Sequence, residues 1–452
     1  MHPTTRRGHI RHYRRVIIKW MTPGLRIKRW LVLLMFGITV LAVGLAQAIV
    51  SIYREADLPA FLYMVTLRFM PEWARIASAA IIGVSAIGIG LYGLNRSILA
   101  PFILRSHESL IDVVYAHNRR QRGIKVVAIG GGTGLPAVLR GLKAFTNNIT
   151  AIVTVADDGG SSGKLRRELG VVPPGDLRNN IAALANDEDL ITQLFQYRFA
   201  EGGLEGHSFG NLFLTAMANI TGSMDRAVAE TGRVLAVEGR VLPSTLQDDV
   251  TLMAEVRVPG ESRLRRVSGE SSITGTGGTI ERVFLYPDQV RAYPETIRAI
   301  LNAHLIVIGP GSLFTSILPN LLVNGIVEAI RASRAYTVYV CNVAMQPGET
   351  DGFMLVDHIL ALEAHIGRGV FDAVLGNGHY PTLNEGQQPQ FVRQEPKHHA
   401  AYERYDIHLA DLTDGERPWR HDPKKLAQAL LAMYSSITQA VPSQNGAVIA
   451  AS

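Results

Sequence analysis

Apolar positions along this 452-residue chain fall into three textures. From Trp30 to Val50 the run WLVLLMFGITVLAVGLAQAIV holds 21 residues without a charge. At about 1.5 Å per residue that crosses a hydrocarbon core of about 30 Å, so it predicts a transmembrane helix. A second uncharged run, Ile76 to Leu94, is shorter and rich in Gly, Ala and Ser, which suits close helix contact in lipid and predicts a partner span. From Lys125 onward the apolar residues come in short, β-branched bursts stopped by glycine: KVVAIG, ITAIVTVA (Ile149 to Ala156), HLIVIG from His304, TVYVCN and AVLGNG (Ala373 to Gly378). Such bursts are the pattern of strands buried on both faces of a parallel sheet. Between Val234 and Leu285 the texture is shorter and alternating, in GRVLP, VTLMAEV and RVSGESSI, which predicts an antiparallel insertion. The insertion leaves a lid and a homodimer contact both open.

The predicted organisation is a basic arm (1–29), a two-helix transmembrane hairpin (30–94), a juxtamembrane connector (95–123), an α/β domain (124–440) with the insertion around 234–285, and a tail (441–452). A cleaved signal peptide has an apolar region of about 7–15 residues, and the first run exceeds that and is followed by another. Charge refines the picture. The arm carries nine Arg/Lys and no acid, while the rest of the chain holds 36 basic and 39 acidic side chains. The positive field thus belongs to the arm rather than to a folded surface, which argues against nucleic-acid binding. Basic residues also follow the second run, so the positive-inside rule places both the arm and the main domain on the cytoplasmic side of a plasma membrane. The single cysteine, Cys341, excludes an internal disulfide and a thiolate zinc cluster, and closes an apolar strand as a small core residue.

Candidate chemistry collects where the bursts end. KVVAIG stops at GGGTGLP (Gly130 to Pro136), and Pro136 opens a helix where its missing N–H costs nothing. A strand, glycine turn and helix offer bare amides and a positive helix end to an anion such as a phosphate. The match to GxGxxG is imperfect, because Leu135 stands at the third glycine, and Walker A fails at Asp158 and Leu165. ITAIVTVA runs into DDGGSSGKLRREL, where Asp157 and Asp158 read as a ribose ligand, as Mg²⁺ ligands bridging phosphates, or as a helix cap. Adjacent side chains diverge, so at most one of the two meets a ligand directly. PPGDLRNN offers Asp176 as a cap, with Arg178, Asn179 and Asn180 beside it as donors. HLIVIGPGSLFTSILPNLL repeats the design, with Ser312 at the head of the next helix. In an open parallel sheet all these loops share the carboxyl edge, where ligands bind at the switch in strand order.

The rival signal is GHSFG (Gly206 to Gly210), which matches the GxSxG nucleophile elbow. An elbow needs a strand leading into its serine, and AEGGLEG cannot be a central strand. His207, Ser208 and Asn211 therefore read as polar groups at the mouth of the helix NLFLTAMANI.

Taken in order, GGGTGLP, VADDGGSSG, PPGDLRN, GHSFGN, GPGSLFTSILPNLLV and CNVAMQPGET resemble the gluconeogenesis factor (YvcK/CofD-like) family across roughly Val126 to Asp422. That family is related in fold to phospholactate transferases. The resemblance implies a Rossmann-like doubly wound parallel sheet that binds a nucleotide, a UDP-sugar or an NAD-like molecule, with Mg²⁺ as an optional companion. It implies a regulatory role in carbon metabolism, cell shape and envelope synthesis, with a Mg²⁺-dependent phosphotransferase as the alternative. Carried onto this chain, the nucleotide loop is Gly131, Gly132, Thr133 and Gly134; Asp157, Asp158, Asn179, His207, Asn211, Gly311, Ser312 and Arg420 line the remainder, and Asp157 and Asp158 are the metal candidates. The apolar N-terminal runs depart from the soluble members of the family.

Overall fold

The computed structural model describes residues 120–186, 188–382, 390–394 and 399–440, together with isolated positions between 38 and 85. The chain divides into two units, residues 1–118 and 119–452. Apart from isolated helical positions such as Ile38, Ala46 and Ile81, the two predicted membrane runs, the arm, the connector up to residue 119 and the tail lie outside the described residues. Among the described residues no helix is long and apolar enough to cross a membrane.

The second unit is built on a fully parallel sheet of seven strands: β1 (Val126–Gly130), β2 (Ile149–Val153), β3 (Arg240–Pro243), β7 (Leu305–Ile308), β8 (Tyr336–Val340), β9 (Ala373–Asn377) and β10 (Asp406–Ala410). Their spatial order is β3-β2-β1-β7-β8-β9-β10. The chain winds outward from β1 to β3, returns to the centre at β7 and winds outward the other way, which is the Rossmann order with one extra strand. The three remaining strands, β4 (Thr251–Arg257), β5 (Arg265–Ser268) and β6 (Thr279–Tyr286), form a separate antiparallel sheet ordered β5-β4-β6. The insertion is therefore narrower than its sequence texture suggested: Arg240–Pro243 alternates because it is the edge of the parallel sheet.

Strand alternation sends successive residues to opposite cores. On β1, Val126 and Ala128 join the core that also contains Leu135, Leu177 and Leu430, while Val127 and Ile129 join the one containing Phe314, Ile359 and Leu252. The first core is covered by helices α1 (Leu135–Leu142), α3 (Gly175–Leu184), α5 (Phe209–Thr221), α6 (Met224–Val234) and α10 (Pro423–Ala440), with α2 (Gly160–Leu169) and α4 (Glu188–Gln196) beside them. The second is covered by α7 (Pro294–Leu301), α8 (Ile326–Ala332), α9 (Leu355–Ile366) and the antiparallel sheet. Helix α1 shows why this holds: Leu135, Val138, Leu139 and Leu142 recur at i, i+3, i+4 and i+7, and each is fully buried. Burying one such side chain contributes about 1.5–3 kcal/mol.

Candidate functional site

The strand order reverses between β1 and β7, and the loops that leave their carboxyl ends interlock. Gly309 N–H donates to Ile129 O, at 2.8 Å, and Asn320 Nδ2 donates to Gly130 O, also at 2.8 Å. A Cβ on Gly134 would come within 2.5 Å of Pro310 O, so glycine is what lets the first turn of α1 meet the β7 loop. The β8 loop locks on from the other side. Gly311 N–H donates to Asn342 Oδ1 at 3.0 Å, Asn342 Nδ2 donates back to Gly311 O at 2.9 Å, and Gln346 Nε2 donates to Ser312 Oγ at 2.7 Å. Ser312 stands at the cap position as expected, yet its hydroxyl serves Gln346 and makes no cap hydrogen bond.

Above these loops opens a cavity of about 720 Å³, lined by Thr133 and Gly134, Gly311 and Ser312, the segment Asn342–Pro347 with Glu349, and the stretch after β10 that holds Arg417, Trp419, Arg420 and His421. Arg417 and Arg420 have exposed side chains and no acidic partner among the described residues. Exposed guanidiniums at a switch-point cavity are of the kind that pairs with an anion such as a phosphate, though Glu349, Asp351 and Asp414 also line it.

Five of the twelve residues singled out in the sequence (Thr133, Gly134, Gly311, Ser312 and Arg420) line this cavity. The others form a second, adjoining group. Asp176 lies against Gly131 and accepts from Gly132 N–H, so the Gly130 loop is the wall between the two. Asp176 is not the cap it was expected to be. Helix α3 starts at Gly175, which places Asp176 inside the first turn, favoured there by the helix dipole. Burial, reinforced by the charge of Asp157, pushes its carboxyl up to about 7, although Gly132 N–H and Arg178 pull the other way. Asp157 accepts from Gly159 N–H at 2.8 Å, and burial raises its pKa as well.

The two adjacent aspartates do diverge. Asp158 turns to the insertion, where it accepts from Ser271 N–H (3.1 Å) and Ser271 Oγ (3.4 Å) at the head of the short helix Glu270–Thr274. It thereby pins Glu270 over the core aspartates. Burial, with the charges of Asp157, Asp176 and Glu349 behind it, pushes Glu270 up to about 9. Glu349 is raised by burial too, although it accepts from Thr315 Oγ1 at 2.9 Å and from Phe314 N–H at 3.4 Å. Such a group binds protons or a cation readily. Among the described residues, however, no three His, Cys, Asp or Glu side chains converge as a metal-sized cage.

Behind Asp157 runs a buried polar chain. Ser161 Oγ and His207 Nδ1 lie 3.1 Å apart, and Asn211 Nδ2 donates to Ser162 Oγ at 3.3 Å. Arg178 donates to Ser208 Oγ at 2.6 Å and to Asn179 Oδ1 at 2.9 Å. Ser208 is fully buried and caps α5 by accepting from Asn211 N–H. No strand leads into it, since the preceding Gly202–Leu204 is a single helical turn. A nucleophile elbow is absent at this serine, and His207 and Asn211 serve the polar scaffold rather than the cavity wall. Asn342, Gln346, Glu349, Arg417 and Glu270 were not singled out from the sequence. The first three lie in CNVAMQPGET, whose polar spacing was visible but pointed to no one atom.

A doubly wound α/β domain with an arginine-lined cavity at its switch point and a carboxylate group beside it is what fold and site define. The family described as 2-phospho-L-lactate transferase CofD matches residues 126–428. A relative from Nostoc sp. strain PCC 7120, provisionally named a gluconeogenesis factor, is 46% identical over 432 residues, covering 92% of each chain. The gluconeogenesis factor of Bacillus subtilis is 54% identical over 254 residues, covering 56% of this chain and 78% of its own. The crystal structure of a UPF0052 family protein from Bacillus halodurans, 44% identical, superposes with a TM-score of 0.63 and covers 69% of this chain and 99% of that one. The chain belongs to the gluconeogenesis factor, CofD-like family.

Proposed function

We propose that the protein is a regulatory receptor for a nucleotide, a UDP-sugar foremost, acting in gluconeogenic carbon metabolism, cell shape and envelope synthesis. The observation that carries the reading is the cavity over the switch point, lined by Thr133 and Gly134 of the first glycine loop, Gly311 and Ser312 of the second, and Arg417 and Arg420. A diphosphate fits such a lining, since guanidiniums bind phosphate oxygens in bidentate fashion. The names of the relatives support the metabolic role. The proposed location is the inner face of a plasma membrane, held by the apolar runs 30–50 and 76–94.

The test is calorimetry and thermal shift of residues 120–440 with UDP-sugars, NAD and GTP, each with and without Mg²⁺. A ligand at 100 times its Kd adds about 2.7 kcal/mol of stability. The expected result is a UDP-sugar shift that disappears in Gly132→Val and Arg420→Ala. Heat and shift that are flat for every nucleotide end the reading.

The second reading is a Mg²⁺-dependent phosphotransferase, favoured by the family description and by the raised carboxylates beside the phosphate loop. Asp157 and Asp176 are hard oxygen donors of the kind Mg²⁺ takes in ones and twos alongside phosphate oxygens, and the ion would neutralise charge on the phosphates there. Asp158 is engaged with Ser271 and leaves that set. Release of nucleoside phosphate from a nucleotide and Mg²⁺ over time separates this reading from a receptor, which releases none.

A further inference from the structure

The amino edge of the seven-stranded sheet has the opposite electrical character from the carboxylate-rich carboxyl edge. Lys125 precedes β1, Arg240 opens β3 and Arg334 precedes β8; all three are exposed and without an acidic partner among the described residues. Among the described residues the Arg240 guanidinium makes one long contact, donating to Thr150 Oγ1 at 3.5 Å. An open cavity of about 600 Å³ at this edge is lined by Lys125, Asn148, Thr150, Arg240, Arg298 and Asn302. Arg298 is paired with Glu295 on its own helix. Two large apolar side chains next to these residues in the chain, Phe145 and Leu301, are 44% and 48% exposed. The acids near this edge are engaged: Glu295, which also lines the cavity, with Arg298, Glu238 with Arg120, and, further along, Asp372 with Thr337 N–H and Asp406 with His408.

The chain arrives at the domain along this same edge. Arg120 pairs with Glu238 at 3.0 Å, Asn148 Nδ2 donates to Gln121 O (2.9 Å) and Gly123 O (2.8 Å), and Thr146 Oγ1 donates to Ile124 O (2.8 Å). Residues 120–124 are therefore tied down beside unpaired cations and exposed apolar side chains, on the side away from the nucleotide cavity. Cations attract the anionic headgroups of a cytoplasmic leaflet, and apolar side chains seat at headgroup depth.

We propose that the amino edge of this sheet docks onto an anionic bilayer surface, with Lys125, Arg240 and Arg334 against lipid phosphates and Phe145 and Leu301 at the interface. It rests on the membrane location proposed above only for the direction of approach, and not on the nucleotide reading. A solved relative whose chain is matched almost end to end by 69% of this one shows that such a domain folds without the N-terminal runs. Residues 120–440 are therefore mixed with phosphatidylcholine vesicles, with or without phosphatidylglycerol, and floated on a density step at low and at high salt.

The expected result is flotation with the anionic vesicles only, lost at high salt because exposed charges are screened. Each of Lys125→Gln, Arg240→Gln and Arg334→Gln should lower partitioning roughly fivefold. Phe145→Ser should weaken it without changing the salt dependence. The melting midpoint of each variant shows whether it is folded, and the wild-type salt and lipid comparison stands whether or not a variant folds. No flotation, equal flotation with neutral vesicles, or a folded triple variant that floats undiminished overturns the proposal.

Discussion

Ser208 accepts one hydrogen bond from Asn211 N–H and another from the Arg178 guanidinium, both in the interior. Replacing it with alanine removes a helix cap and strands a buried charged donor, effects of about 0.5–2 and 1–3 kcal/mol that overlap at one oxygen. Ser208→Ala is expected to lower the unfolding free energy by about 2–3 kcal/mol in urea titration, and wild-type Ser208 to stay unlabelled by a fluorophosphonate. Glu270 supports a prediction of opposite sign. Its folded pKa of about 9 lies above the ordinary 4.5, so between those values the folded state holds more protons than the unfolded state. Stability is then lost as pH rises through that window, and Asp176, raised from 3.8 to about 7, acts the same way. Glu270→Gln should therefore be more stable than wild type at pH 8 to 9 and equal to it near pH 4, with a flatter pH profile in urea unfolding. A raised midpoint at pH 4, or none at pH 9, contradicts the assignment. These residue roles were the least legible in the sequence. GHSFG shows a serine between glycines in either case, and only its burial and its bond to Arg178 separate a cap from a nucleophile.

Helix α10 crosses α1 at Gly141, where a Cβ would collide with Pro423 O. Pro423 begins α10 directly after Arg417, Trp419, Arg420 and His421, which line the cavity, so the crossing sets where those side chains stand. Gly141→Ala is expected to displace the start of α10, whose Pro423 lines the cavity, weakening UDP-sugar binding about tenfold or more (about 1.4 kcal/mol or more) although Gly141 itself is not part of the wall. The check is calorimetry beside a melting curve. A large loss of stability with unchanged affinity would refute the coupling. At this scale the sequence was most informative in the strands β1, β2, β7, β8 and β9, because residues buried on both faces leave unbroken apolar bursts that glycine loops terminate. It was least informative at the sheet edges. β10 reads DIHLA with only intermediate or exposed positions, and β3 alternates like a two-sided strand, so the first escaped notice and the second was grouped with the insertion. Glycine loops marked the carboxyl edge. Which faced the cavity and which the carboxylate group depended on strand order, which no local pattern encodes.

For the whole molecule, the two edges of the sheet differ in chemical character. The carboxyl edge holds the cavity and the carboxylates, the amino edge the unpaired cations and the point where the chain arrives. A protein held by two apolar spans and also docked by one face should respond differently to two extractions. Alkaline carbonate strips proteins attached by charge and shallow apolar contact, since neither approaches the strength of a spanning helix. The full chain, expressed in bacteria, is expected to stay with the membrane pellet through carbonate, whereas residues 120–440 should be released by carbonate and by high salt alike. The same truncation should leave the UDP-sugar shift unchanged, because among the described residues none that lines the cavity precedes Thr133. If the full chain is released by carbonate, the runs 30–50 and 76–94 do not span; if truncation also abolishes the ligand shift, the two edges are coupled through the N-terminal unit and do not act separately.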